Sequence, residues 1–152
     1  KATRFKESDV RVMGRSAKGV RGIKLGSGHS LISLIIPAQN GYLLTASENG
    51  FGKRTALDDF PLRGRGAQGV IAMQTSDRNG ALVGAVQIFD GDELMLISNM
   101  GTLVRTKGDG VSLLGRNTQG VRLMKLREAE KLNSVSRIEE QEDDIAAETI
   151  DA

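Results

Sequence analysis

The sequence predicts an all-β protein assembled from repeated antiparallel units of about four strands each. Three observations carry that prediction. The first is a pattern that returns in register: counting from Arg54, Gly50 lies four residues before, and Gly64, Arg65, Gly69 and Val70 lie ten, eleven, fifteen and sixteen after. Counting from Arg105 finds Gly101, Gly115, Arg116, Gly120 and Val121 at the same offsets, and counting from Arg4 finds Gly14, Arg15, Gly19 and Val20. The period is 50 and then 51 residues, and apolar positions such as Val10, Phe60 and Val111 keep step with it. The second is composition, since 19 glycines and 3% aromatic residues call for many tight turns rather than large hydrophobic anchors. The third is that short, apolar, β-compatible runs alternate with turn signals, with no amphipathic helical period before the last dozen or so residues.

In the middle unit Leu43–Ser47 reads as a strand, Glu48-Asn49-Gly50-Phe51 supplies an Asn-Gly hairpin turn, and Lys53–Ala56 returns as the second strand. Proline and two short acids in Asp58-Asp59-Phe60-Pro61 argue against helix in the connection. Val70–Thr75 and Leu82–Ile88 then read as a second hairpin around Asp77-Arg78-Asn79-Gly80. The third unit repeats the plan with Leu94–Ser98, Leu103–Thr106, Val121–Leu126 and Val135–Ile138. The first unit offers Val20–Leu25 and Leu31–Ile36. A lone four-stranded sheet with two apolar faces can bury neither, so units must stack on neighbours as the blades of a propeller do. The units run over about 1–41, 42–92 and 93–138. They carry no Trp-Asp signature and fall short of the roughly four to eight blades that close a ring, so further blades are expected upstream.

The absence of cysteine excludes disulfides, thiolate metal sites and a cysteine nucleophile, and suits a reducing, cytoplasmic compartment. The longest apolar run, Leu31 to Ala38, is too short to cross a bilayer. Net charge of +2 conceals an asymmetry. Residues 139–152 hold seven of the 19 acids and no Lys or Arg, which leaves 12 acids against all 21 bases in residues 1–138, a formal +9. The body is basic, and the tail reads as acidic and disordered.

The recurring residues resemble a known family. Asn49-Gly50 with Lys53-Arg54-Thr55, Gly101-Thr102-Leu103-Val104-Arg105-Thr106, and the runs Val12-Met13-Gly14-Arg15 to Gly19-Val20 and Gly115-Arg116-Asn117-Thr118-Gln119-Gly120-Val121 are similar to the repeats of the bacterial DNA gyrase A C-terminal domain. The resemblance covers residues 1–138 and extends to the acidic tail. It implies a β-pinwheel, a six-bladed propeller-like disc, around whose edge duplex DNA wraps. It implies partnership with the rest of gyrase A and with gyrase B in a heterotetramer that introduces negative supercoils, with ATP and Mg²⁺ bound elsewhere and no catalytic residue here. The family's Gln-Arg-Arg-Gly-Gly-Lys-Gly box has no copy. Arg63-Gly64-Arg65-Gly66-Ala67-Gln68-Gly69 is a degenerate echo of it, which leaves open the related topoisomerase IV family, where the domain guides substrate choice. A propeller-like scaffold that binds proteins is a further alternative.

Wrapping requires phosphate contacts spread along an arc, because bending duplex DNA sharply costs on the order of several kcal/mol. Basic residues repeated from blade to blade would supply that spacing without reading bases. The candidates are the recurring Arg15, Arg65 and Arg116, the strand residues Arg4, Lys53, Arg54 and Arg105, and the adjacent Lys18, Arg21, Arg63, Lys107, Arg122 and Lys125. An arginine at a fixed repeat position can equally donate to carbonyls that link the blades. Residues 139–152 are expected either to solubilise the chain or to compete with phosphate; in the second case their deletion tightens DNA binding at low salt.

Other features are decoys. Gly64-Arg65-Gly66-Ala67-Gln68-Gly69 fits a dinucleotide-binding spacing, but Phe60-Pro61 precedes it where a strand is needed and an apolar β-run follows where a helix is needed. His29 lacks partners for a metal, and Tyr42 opens a strand, which suits a structural residue.

Overall fold

The computed structural model describes residues 1–140. The acidic run expected to be disordered therefore lies almost wholly outside the described residues. Seven strands form two antiparallel sheets: β1 (Tyr42–Ser47), β2 (Phe51–Ala56), β3 (Leu82–Ile88), β4 (Glu93–Ser98), β5 (Leu103–Lys107), β6 (Val121–Arg122) and β7 (Leu132–Ile138). The sheet orders are β3-β1-β2-β6 and β5-β4-β7.

The hairpins form where the Gly-containing turns place them. Gly50 N–H donates to Ser47 O at 3.0 Å, and β1 pairs with β2 from Tyr42 opposite Ala56 to Ala46 opposite Gly52. Gly101 N–H closes the matching turn on Ser98 O at 3.2 Å, between β4 and β5. On their other edges β1 takes β3 and β4 takes β7, each with a register shift at the last residue pair. A hairpin with a third strand on the same first strand is therefore the unit of both sheets.

The fourth strand corrects the expectation. Val70–Thr75 does not pair with Leu82–Ile88: Val70 makes a single bridge to Ala2 of the preceding unit. Of Val121–Leu126 only Val121–Arg122 is strand, and it pairs with β2 of the middle unit rather than within its own. Each unit thus lends its Gly-Val element to the neighbour before it. The glycines at fifteen after the repeat arginine make this possible. Gly69 and Gly120 have φ of +81° and +77°, and a Cβ there would stand 2.4 Å from Ala2 O and 2.6 Å from Gly52 O. A left-handed turn and backbone-to-backbone approach are both required, and only glycine supplies both.

The connection after β2 differs in a smaller way. Leu57–Asp59 makes one 3-10 turn, closed by Phe60 N–H on Leu57 O at 3.0 Å, and the same turn recurs at Glu7–Asp9 and Gly108–Gly110. The proline blocks continuation, not a single turn.

The first unit lacks the expected strands. Leu31–Ile36 enters no ladder, and Leu34 and Ile36 are 82% and 89% exposed. Val20–Leu25 forms no strand either. Leu31–Ile36 touches the middle unit through Ser33 Oγ, which donates to Ala85 O at 2.8 Å, and through Ile35.

Stacking accounts for the core. Alternate residues of β1 go to opposite faces. Leu43 packs with Phe60 and Ala72 towards the first unit, while Leu44 and Ala46 join Ile88, Leu94, Leu96, Leu132 and Val135 towards the third. The middle sheet is buried on both sides, as the stacking argument requires.

Candidate nucleic-acid interface

The recurring Gly-Arg element is a chain reversal along the edge of β2. The third unit meets β2 at Arg54, where Arg54 N–H donates to Ser112 O and Leu114 N–H donates to Arg54 O, both at 2.9 Å. It turns back through Gly115–Thr118 and returns as β6. Lys53 sits inside that reversal. Its ammonium donates to Gly115 O at 2.7 Å, Thr118 O at 3.2 Å, Thr118 Oγ1 at 3.0 Å, and Arg116 O. Lys53 is 0% exposed and, among the described residues, no carboxylate lies within ion-pair distance, so burial, together with Arg116 nearby, lowers its pKa to about 8. This candidate does not face solvent.

The first junction repeats the reversal with a different filling. Arg63 N–H donates to Arg4 O at 2.8 Å, and Ala2 and Val70 exchange N–H···O bonds at 2.8 Å. Thr3 replaces Lys53, its Oγ1 buried without a partner among the described residues. An open cleft of about 520 Å³ remains, lined by Thr3, Arg4, Phe60, Arg63 and residues 64–70.

Other recurring arginines link neighbouring units. Arg65 donates from Nε to Asp9 O and from Nη1 to Arg21 O, at 3.0 and 2.6 Å. Arg116 repeats both bonds one unit on, to Asp59 O and Ile71 O, at 2.6 and 2.9 Å. Arg4 reaches Leu57 O and Phe60 O, and Arg54 reaches Val111 O and Asp109 O. Arg105 instead pairs with Glu93 on the adjacent strand. The blade-linking role weighed in the sequence is occupied by these guanidiniums, although Arg65 and Arg116 remain partly accessible.

A second group is exposed. Arg15, Lys18, Arg21, Arg63, Lys107 and Lys125 have exposed side chains and, among the described residues, no ion pair. Arg122 is exposed as well, its guanidinium 5.5 Å from the centre of the Phe51 ring. Arg78 lies over the same ring at 4.6 Å. Sequence reasoning missed it, because its repeat counterparts are Gly28 and Ala129 and no periodic signal marks it.

Two buried carboxylates fasten the turns. Glu130 accepts from Ser98 Oγ and Thr102 Oγ1, each at 2.5 Å, and from Arg127 N–H at 2.9 Å, which hold its pKa down to about 2. Burial alone would raise the pKa of Asp92, but the Arg137 guanidinium and the N–H groups of Phe89 and Glu140 outweigh it and lower the value.

Comparison with known proteins fits this geometry. A family model described as the DNA gyrase C-terminal domain, beta-propeller, matches residues 1–38, 41–88 and 92–139, one match per unit. The chain belongs to the DNA gyrase A C-terminal domain family. The DNA gyrase A protein of Pseudomonas aeruginosa is 61% identical over 140 residues, covering 92% of this chain and 15% of that protein. The gyrase A protein of Escherichia coli K12 is 48% identical over 151 residues, covering 99% and 17%. The chain therefore spans about a sixth of the length of the gyrase A relatives it matches. A solved gyrase A C-terminal domain superposes with a TM-score of 0.81 at 33% identity, covering 88% of this chain and 45% of that one. The C-terminal domain of a DNA topoisomerase IV superposes with a TM-score of 0.81 at 25% identity, covering 89% and 42%. The family model's propeller description fits an all-β stack in which each unit lends its Gly-Val element to the unit before it. Among the described residues no helix is long and apolar enough to cross a membrane.

Proposed function

We propose that this chain is a non-catalytic module that binds and wraps duplex DNA within a DNA gyrase. Bending the duplex around the stacked blades would present a crossing to a strand-passage core elsewhere in the enzyme, so that ATP-driven passage introduces negative supercoils. Partnership with the rest of gyrase A and with gyrase B in a heterotetramer, ATP and Mg²⁺ bound on those other parts, and action on DNA in the bacterial cytoplasm all belong to this reading.

Membership of the gyrase A family carries it. The exposed cations without carboxylate partners among the described residues support it, because each neutralised phosphate releases counterions and contributes about 0.9 to the salt slope. Arg15, Lys18, Arg21, Arg63, Lys107, Arg122 and Lys125 are the first candidates, with the partly accessible Arg65 and Arg116 beside them. The blade-linking Arg4 and Arg54 and the paired Arg105 would act more weakly, and the enclosed Lys53 would act only through the loop it holds.

The topoisomerase IV reading draws on the solved neighbour of that name. The identities of 48% and 61% to gyrase A proteins favour gyrase. Titrating the chain against a duplex of about 40 base pairs across a salt series tests the proposal. Binding with a steep salt slope and no sequence preference is expected, whereas a flat slope would refute phosphate tracking.

A further inference from the structure

Phe51 opens β2 directly opposite Arg122 of β6, so the two side chains share one face of the ladder. The second guanidinium on that ring, Arg78, comes from the turn before β3. That turn is tightly held. Asn79 Nδ2 donates to Gln74 O at 2.8 Å and to Gln119 O at 3.1 Å, and Ser76 N–H donates to Asn79 Oδ1 at 2.7 Å. Asn49 Nδ2 donates to the Asp77 and Arg78 carbonyls, both at 3.2 Å. Lys131 Nζ donates to Asn49 Oδ1 at 2.5 Å, which places a third cation beside the same turn.

Both guanidiniums lie over one buried ring, so they can be no further apart than their 4.6 and 5.5 Å ring distances combined. Among the described residues neither has a carboxylate within ion-pair distance. The acids nearest to them in sequence, Asp77 and Glu128, make no ion pair among those residues, and the carboxylate of Glu48, three residues before Phe51, accepts from Ala81 N–H. Two like charges braced on one ring with no counter-ion among the described residues form a place where an anion gains and a cation loses. The ring and the pinned turn pre-order two long side chains, which lowers the entropy cost of closing them on a ligand.

We infer that Arg78 and Arg122, braced on Phe51 and flanked by Lys131, form a phosphodiester-binding site at the junction of the second and third units. The site takes backbone phosphates of a nucleic acid and rests on the DNA-binding reading above. It is not a repeat feature: the first junction has Lys1, Gly28 and Ile71 at the positions of Phe51, Arg78 and Arg122. It would therefore anchor the duplex at one point of the arc and set where a wrap begins, rather than supplying one of a series of equal contacts.

Arg78→Ala is the decisive variant, because Arg78 is exposed and its side chain contacts only Gln119 and the ring among the described residues. Binding of the whole chain to a duplex of about 40 base pairs, read by fluorescence anisotropy between about 50 and 200 mM salt, is expected to weaken about tenfold at the low end. The salt slope should fall by about 0.9, with an unchanged thermal midpoint. Wild type that binds steeply alongside an R78A variant equal to it in affinity and slope would overturn the site and leave the wrapping reading intact. Wild type with no salt-dependent binding would overturn both. Should R78A also lower the midpoint, Arg78→Lys decides. Affinity and slope recovered towards wild type uphold the site, and binding as weak as that of R78A at a wild-type midpoint removes it.

Discussion

Replacing Lys53 by methionine removes the ammonium while keeping most of the volume of a fully buried side chain. Two effects oppose one another. The folded pKa of about 8 against the ordinary 10.5 means that burying the charged form costs on the order of 3 kcal/mol at neutral pH, a cost that methionine relieves. Against this, four oxygen acceptors lose a charged donor. Gly115 O keeps the Thr118 hydroxyl and Thr118 O keeps Gln74 N–H, which leaves Arg116 O as the acceptor with no other described partner. One orphaned carbonyl costs about 1–3 kcal/mol, and each lost bond to a charged group about 1.5–3 kcal/mol. Losses exceed relief, so the variant should be less stable by at least about 3 kcal/mol, lowering the melting midpoint by about 6 °C or more. The pH dependence is the sharper test. Between pH 8 and 10.5 the folded protein binds fewer protons at Lys53 than the unfolded chain, so its stability rises with pH relative to the methionine variant. Chemical denaturation of both proteins at about pH 7 and about pH 10 should show the gap widening. A constant gap would mean that the ammonium titrates normally, and a narrowing gap would mean that the oxygens hold it charged; either refutes the reasoning.

Glu130→Gln should destabilise the β4–β5 end at neutral pH. Because the folded pKa is depressed to about 2, the difference from wild type should be full above pH 4.5 and vanish as pH falls towards 2, measured by denaturation at stepped pH. Gly120→Ala meets both left-handed strain and the Gly52 carbonyl, and Gly19→Ala meets strain alone, since nothing lies within 4 Å. The first should cost more than about 2 kcal/mol and the second about 1 kcal/mol, read from paired thermal melts. Arg116→Ala removes bonds to Asp59 O and Ile71 O, and Lys125→Ala removes no described bond. Only the first should lower the melting midpoint, whereas both should reduce the salt slope of DNA binding if both reach phosphate.

The Gly-Arg-x-x-x-Gly-Val offsets were legible because the same junction is built twice, at Arg65 to Val70 and at Arg116 to Val121, and each needs the same glycine and the same guanidinium. Hairpins β1–β2 and β4–β5 were legible because turn chemistry acts within a few residues. Strand exchange was not. Whether Val121 pairs with its own unit or with Gly52 depends on where the chain goes after the 3-10 turn, and both pairings satisfy the same local β-pattern. The candidate cations suffered from the same ambiguity, since Lys53 and Arg54 are adjacent, charged and strand-borne, yet one is enclosed by the next unit and the other reaches its carbonyls.

By itself, then, the amino-acid order determined the repeat, the turns, the basic body and the family. Tertiary structure alone decided which neighbour each outer strand joins, that Lys53 fills a chain reversal, and that Arg78 stands with Arg122 on Phe51. The physical reason is range. Turn signals and periodicity are written in neighbouring residues, whereas the environment of a charge is set by groups far away along the chain, which sequence order does not bring together.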